Sequence, residues 1–138
     1  MITYEKVLVL KNIPLFEKVS ELALADLIEV SEEKLLKAGE VLLAAKKENR
    51  YLYIILSGSV EIRSGKNLLQ EYGARQIVGE TTVFSPAPLA GELIAQGKSM
   101  ILKISADNLY RVMALHPTLA YSLLGELSRR VRLAEKKE

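Results

Sequence analysis

The pattern of hydrophobic and polar positions changes twice along the chain. Near the N terminus, apolar residues at helical spacing follow Ser20, which predicts a short helix from residue 20 to about residue 30 with Ser20 as its N-cap. Between Glu33 and Ser105, short apolar runs alternate with turn residues. After Ser105, which is predicted to cap the next helix, the helical period returns, and Pro117 divides it into two helices. The pattern predicts one domain, residues 1–138, with an N-terminal helical part (1–32), a β region (33–105) and C-terminal helices (106–138).

The β region has the features of an antiparallel fold. Seven of the eight glycines fall in it, at intervals too short for βαβ units. The clearest strands are residues 51–56 and 60–62, with Gly58 in the tight turn between them. Five further runs bring the total to seven, close to the eight strands of a double-sheet jelly roll. These further runs cover residues 40–44, 67–72, 76–78, 90–95 and 99–104.

Composition excludes several classes of function. The chain has no cysteine, so disulfides, thiolate metal sites and a cysteine nucleophile are absent. His116 is the only histidine and lies at a helix junction, where a structural role is expected and a metal site is not. No serine lies in a nucleophile-elbow pattern and no carboxylates are paired, so we predict a non-enzymatic protein. Charged residues interrupt every apolar run, so a cytoplasmic protein without membrane segments is expected.

The formal net charge of +2 is unevenly distributed. Residues 129–138 include five basic and two acidic residues, which gives a local charge of +3. This cluster predicts a solvated helix end whose charges suit the C-terminal helix dipole; contact with nucleic acid is the alternative. Because no helix-turn-helix follows in this sequence, direct DNA binding is not expected.

The last helix carries an apolar seam. Its members recur at spacings of four and three residues, as in a short heptad pattern. Such a seam needs a partner helix or a sheet face, so we predict a homodimer formed through this helix. The seam residues are Ala120, Leu124, Leu127, Val131 and Ala134.

One stretch, residues 77–94, reads as a strand, a turn and a second strand. Gly79 and Glu80 lie where the first strand ends. A glycine allows a close backbone approach to a ligand, and the adjacent carboxylate accepts hydrogen bonds from hydroxyl groups. Leu89, across the turn, offers no donor to an anion. The stretch therefore predicts a cradle for a small polar ligand. The half of this cradle that would bind an anion is missing.

Four segments together resemble a known family. They are residues 10–16 (LKNIPLF), 38–41 (AGEV), 53–60 (YIILSGSV) and 78–80 (VGE). In this order and spacing they are similar to the signature blocks of the cyclic nucleotide-binding domain family, which includes bacterial catabolite activators, kinase regulatory subunits and nucleotide-gated channels. The resemblance implies a mainly β fold, an eight-stranded jelly roll with N-terminal helices and two C-terminal helices.

The resemblance also implies a ligand site, the phosphate-binding cassette. The backbone near Gly79 would contact the cyclic phosphate and Glu80 the ribose 2′-hydroxyl. The family's phosphate-binding arginine falls at Leu89, and the neighbouring small hydroxyl residue falls at Ala90. With Thr81, these residues form the candidate ligand set. Loss of one charge-assisted contact predicts cAMP or cGMP binding weaker by about 10² to 10³.

Several alternatives remain open at this stage. Another cation, such as Arg75 or Lys98, could supply the missing charge, and Glu80 could be an ion-pair partner instead of a ligand contact. Two threonines and two prolines between residues 81 and 88 disfavour a helix and predict a turn that is extended or differently shaped. The two functional hypotheses are a regulatory sensor of a small molecule, and a ligand-free domain that serves as a dimerisation or protein-interaction scaffold.

Overall fold

The computed structural model describes residues 1–136; Lys137 and Glu138, which contribute to the predicted basic tail, lie outside the described residues. The N-terminal part contains helix α1 (Thr3–Lys11), a 3₁₀ helix (Pro14–Phe16) and helix α2 (Glu21–Glu29). The Ser20 side chain accepts a hydrogen bond from the Ala23 amide at 3.1 Å. The predicted N-cap of α2 is therefore confirmed.

Ten strands follow, and eight of them form two four-stranded antiparallel sheets. The sheet orders are β1-β10-β4-β7 and β2-β9-β5-β6, while β3 and β8 pair in a separate two-stranded ribbon. This arrangement confirms the jelly roll. The strands are β1 (Glu32–Leu36), β2 (Val41–Leu43), β3 (Glu48–Asn49), β4 (Tyr51–Ser57), β5 (Ser59–Ser64), β6 (Asn67–Gly73), β7 (Ile77–Val78), β8 (Ala87–Pro88), β9 (Glu92–Ala95) and β10 (Ser99–Ser105).

Three strands have no counterpart among the predicted runs. β1 reads Glu-Glu-Lys-Leu-Leu and lacks an alternating pattern, yet all five of its residues pair with β10. β3 and β8 are only two residues long and exist because each pairs with the other. Long-range pairing, which local sequence does not encode, defines these elements.

The central strand β4 separates two hydrophobic clusters. Leu52, Ile54 and Leu56 face the helices, whereas Tyr53 and Ile55 face the interior of the jelly roll. Both faces are buried, which explains why this strand is a continuous apolar run instead of an alternating one.

The C-terminal helices are α3 (Ala106–Leu115) and α4 (Pro117–Glu135). At their junction, His116 Nε2 lies 2.7 Å from Asp26 Oδ2 of α2. The predicted structural role of His116 fits this contact, which ties the junction to the N-terminal helices. Within residues 1–136, no helix combines the length and the apolar character needed to cross a membrane.

Candidate functional site

The candidate site begins with a glycine that the packing requires. Gly79 has a φ of +94°, and a Cβ atom at this position would collide with the Tyr51 carbonyl oxygen and with the Asn49 side chain. Any side chain would therefore force β4 and the turn after β7 apart.

A buried asparagine shapes the turn that follows. Asn49 is fully buried and donates hydrogen bonds to the Tyr51 carbonyl at 2.7 Å and to Thr82 Oγ1 at 2.9 Å. The Gly79 carbonyl accepts from the amides of Thr82 and Val83, at 3.1 and 2.9 Å. These contacts close a single turn over residues 79–83 before the prolines begin, so of the two forms that the sequence left open, this part of the stretch takes the differently shaped one and is not extended. Local sequence could not reveal this, because Asn49 lies about thirty residues away.

Glu80 is the buried charge of the site. Its residue exposure is 4%, and its Oε1 lies 2.9 Å from Arg130 Nη1 of α4. Its Oε2 atom is buried and has no hydrogen-bond partner among residues 1–136. The site therefore holds one satisfied and one unsatisfied carboxylate oxygen. This contact agrees with the alternative in which Glu80 is an ion-pair partner.

The expectation of a solvated helix end is wrong for Arg130. Its side chain is only 30% exposed and contacts both Glu80 and Glu126. Arg132, by contrast, is exposed as expected. Helical spacing predicts that Arg129 and Arg132 lie on one side of the helix. It cannot predict that Arg130 pairs with Glu80, which lies fifty positions away in the chain.

The electrostatics of the site follow from this burial. Desolvation raises the pKa of the Glu80 carboxyl above its ordinary value, and the nearby Arg130 charge only partly opposes the shift. At Glu126, burial acts to raise the pKa, but hydrogen bonds from Arg129 and Arg130 hold it below the ordinary value. Two carboxylates and two guanidinium groups thus form one network beneath α4.

Tyr72 of β6 borders this network. It is buried, and desolvation together with the Glu80 charge raises the pKa of its phenol. Tyr72 and Arg130 also line a cavity of about 360 Å³ with Gln70 and Leu133. A polar, partly enclosed space therefore lies beside Arg130, the ion-pair partner of Glu80.

At the opposite half of the predicted cradle, the side chain at position 89 is apolar. Leu89 is half-buried and packs against the interior cluster of the jelly roll, as do Tyr51 and Leu43. Ala90 and Thr81 are exposed. Leu89 and Ala90 line an outer cavity of about 400 Å³, and two cations, Lys46 and Arg63, also line it; Arg63 is paired with Glu61. In the structure Glu80, which follows Gly79, is buried against Arg130, whereas Leu89 packs against hydrophobic residues.

The two cations considered above as substitutes, Arg75 and Lys98, are not among the residues that line the cavity beside Leu89. Arg75 lines a different cavity, beneath α4, and Lys98 is exposed in the turn before β10. No group of three or more potential metal-ligating side chains occurs within the described part of the chain.

The seam of α4 is largely open in the single chain. Leu124 is 62% exposed and Val131 is 56% exposed. Ala134 is also exposed, whereas Ala120 and Leu127 are half-buried. The seam is therefore an unpartnered apolar stripe of α4.

Comparison with known proteins adds independent information. The family model for the cyclic nucleotide-binding domain matches residues 33–116. A CRP-like cAMP-activated global transcriptional regulator of Mycobacterium tuberculosis is 27% identical over 129 residues, which cover 90% of this chain and 58% of the relative. The chain thus spans little more than half the length of that relative.

Solved structures agree in fold. The N-terminal domain of a transcriptional regulator from Streptomyces coelicolor A3(2) superposes with a TM-score of 0.79 at 25% identity, covering 94% of both chains. The catabolite activator protein of Thermus thermophilus has a TM-score of 0.80 at 19% identity, covering 90% of this chain and 61% of that one. At that identity the second likeness shows the fold alone.

Proposed function

Because this chain belongs to the cyclic nucleotide-binding domain family, we propose that it is a non-catalytic sensor module whose ligand donates a hydroxyl hydrogen bond to Glu80. The supporting observation is the buried Glu80 Oε2 atom without a partner among residues 1–136. An unsatisfied buried acceptor costs about 1–3 kcal/mol. A hydroxyl group placed against this oxygen would remove that cost, so the site favours a ligand that carries one.

We propose further that cAMP and cGMP bind weakly or not at all. Leu89 offers no hydrogen-bond donor, and its side chain packs with the interior cluster where the family's arginine would meet the phosphate. A buried charge without its partner costs about 3–5 kcal/mol, which corresponds to a loss of 10² to 10³ or more in affinity. An uncharged ligand with hydroxyl groups does not incur this cost and fits the site better.

The connection to α4 supplies a means of response. Arg130 contacts the same carboxylate that the ligand hydroxyl would contact. A ligand shifts a conformational equilibrium only if it binds one arrangement better than the other. We propose that the bound ligand changes the Arg130–Glu80 contact and thereby the position of the end of α4.

We also propose a homodimer through α4, because its apolar seam is largely exposed in the single chain. We also propose a cytoplasmic location, because the chain is similar to a transcriptional regulator. No contact with DNA is assigned to residues 1–136.

Calorimetric titration of the chain with cAMP, cGMP and the uncharged nucleoside adenosine tests the function. We expect adenosine to bind more tightly than either cyclic nucleotide, and Glu80→Gln to weaken adenosine binding. Tight cAMP binding would contradict the assigned role of Leu89. Adenosine is one probe of the class, and a polyol panel extends the test to other hydroxyl-bearing ligands.

A further inference from the structure

A second cavity lies beneath α4, outside the jelly roll. It has a volume of about 260 Å³ and is bounded by the 3₁₀ helix, the turn between β6 and β7, and α4. Arg75, Arg129, Arg130 and Gln76 line it, and Glu126 is the acidic side chain in its wall. Its polar lining is therefore dominated by hydrogen-bond donors.

The acceptors in this wall are already engaged. Glu126 Oε1 accepts from Arg129 Nη2 at 2.5 Å and from Arg130 Nε at 3.1 Å, and Oε2 accepts from Arg129 Nε at 3.2 Å. The Gln76 side-chain oxygen accepts from the Gly73 amide at 2.7 Å. The donors of the Gln76 amide group and of Arg75 make no side-chain hydrogen bonds within residues 1–136.

Charge in this region also favours an anion. The cavity is lined by Arg75, Arg129 and Arg130. The carboxylates in this region are Glu126 in the cavity wall and Glu80, which contacts Arg130, so the net charge is +1. Arg75 has no carboxylate within 4 Å among the described residues. Its backbone is fixed, because its amide donates to the Ile55 carbonyl at 2.9 Å while its φ is +72°. The turn therefore contributes an exposed arginine, unpaired among the described residues, to the lining of the cavity.

We propose that this cavity binds a small phosphate-bearing molecule between Arg75 and Arg129. A planar guanidinium group matches the oxygens of a phosphoryl group, and charge-assisted hydrogen bonds are the strong ones. The bound oxyanion links the β6–β7 turn to α4 and so holds the helix end against the jelly roll. The cavity shares Arg130 with the contact to Glu80, but the two guanidinium groups assigned to the anion, those of Arg75 and Arg129, form no ion pair with Glu80 among the described residues.

The test is calorimetric titration of the full chain with inorganic pyrophosphate at constant ionic strength. We expect saturable one-to-one binding that Arg75→Gln weakens by about tenfold, the effect of losing one hydrogen bond to a charged group. Arg111→Gln is the matched control, because it removes the same charge from an exposed position on α3. Arg111→Gln is expected to leave the affinity for pyrophosphate within about twofold of the wild-type value, since distant exposed charges are screened.

Two results would overturn the proposal: no saturable heat with the wild-type chain, or equal weakening of pyrophosphate binding by Arg75→Gln and Arg111→Gln. Hydrogen exchange provides a second measurement, because pyrophosphate at a concentration near the wild-type Kd is expected to slow exchange in residues 126–134 of wild type and to slow it much less in Arg75→Gln.

Discussion

Arg130 Nη1 lies 2.9 Å from Glu80 Oε1 and joins the last helix to the turn that follows β7. The carboxylate is almost fully buried, whereas the guanidinium is 30% exposed and shared with Glu126. The pair is thus the direct physical link between the candidate ligand site and α4. The contribution of this pair to the free energy of unfolding, the pH dependence of that contribution and the packing around the pair can each be measured.

Removal of the arginine leaves a buried carboxylate without its charge partner. We expect Arg130→Gln to lower the free energy of unfolding by about 1–3 kcal/mol, since partial exposure of Arg130 moderates the penalty. Arg132→Gln, at an exposed position on the same helix, is expected to change it by less than about 0.5 kcal/mol. Urea denaturation measures both values, and equal effects would contradict a specific Arg130–Glu80 interaction.

Glu80 predicts a pH dependence with a defined sign. Its folded-state pKa is raised above the ordinary value of 4.5, so the unfolded chain loses this proton first as the pH rises. The stability of wild type relative to Glu80→Gln is therefore expected to fall as the pH rises from 4.5 through the raised pKa, and then to level off. Denaturant titrations at several pH values measure the difference. A difference that grows with pH would show that Arg130 lowers the pKa below its ordinary value.

Leu89 predicts a gain of function. We expect Leu89→Arg to create measurable cAMP binding by calorimetry, because the Gly79–Glu80 half of the cassette is in place. Leu68→Arg, at an exposed position of β6, adds the same charge elsewhere and is the control. In wild type, cAMP at about 100 µM is expected to leave the melting temperature unchanged within about 2 °C. No binding by Leu89→Arg would mean that the turn itself is misshapen for phosphate.

The open seam of α4 predicts self-association. We expect Leu124→Asp to convert a dimer into a monomer in light scattering, without loss of the fold, since Leu124 is 62% exposed in the single chain. Leu127→Asp is expected to act in the same direction. Leu115→Asp, on α3 at 72% exposure, is the control that keeps the dimer. A monomeric wild-type protein at high concentration would rule out the seam as a dimer interface.

Asn49 predicts a local stabilising role. Asn49→Ala removes its hydrogen bonds to the Tyr51 carbonyl and Thr82 Oγ1 and leaves buried polar groups unsatisfied, so a loss of about 1–3 kcal/mol is expected. Asn67→Ala, at an exposed position, serves as the control. Hydrogen exchange of the Thr82 and Val83 amides is expected to accelerate in Asn49→Ala alone, because Asn49 fixes that turn.

The sequence by itself determined the fold class and most element positions. Ser20 and Ser105 carry the signature of helix caps, and both act as caps. Turn glycines and apolar runs located most of the strands, because hairpin turns and alternating burial are local properties. The absence of a donor at Leu89 was likewise readable from one residue.

Only the tertiary structure decided how the site is completed. The partner of Glu80 is Arg130, the turn after Gly79 is shaped by Asn49, and Arg75 faces a cavity beneath α4. Each depends on residues that are distant in the chain and adjacent only after the sheets and helices pack. A side chain's type sets which interactions it can make, but the fold decides which partners it meets.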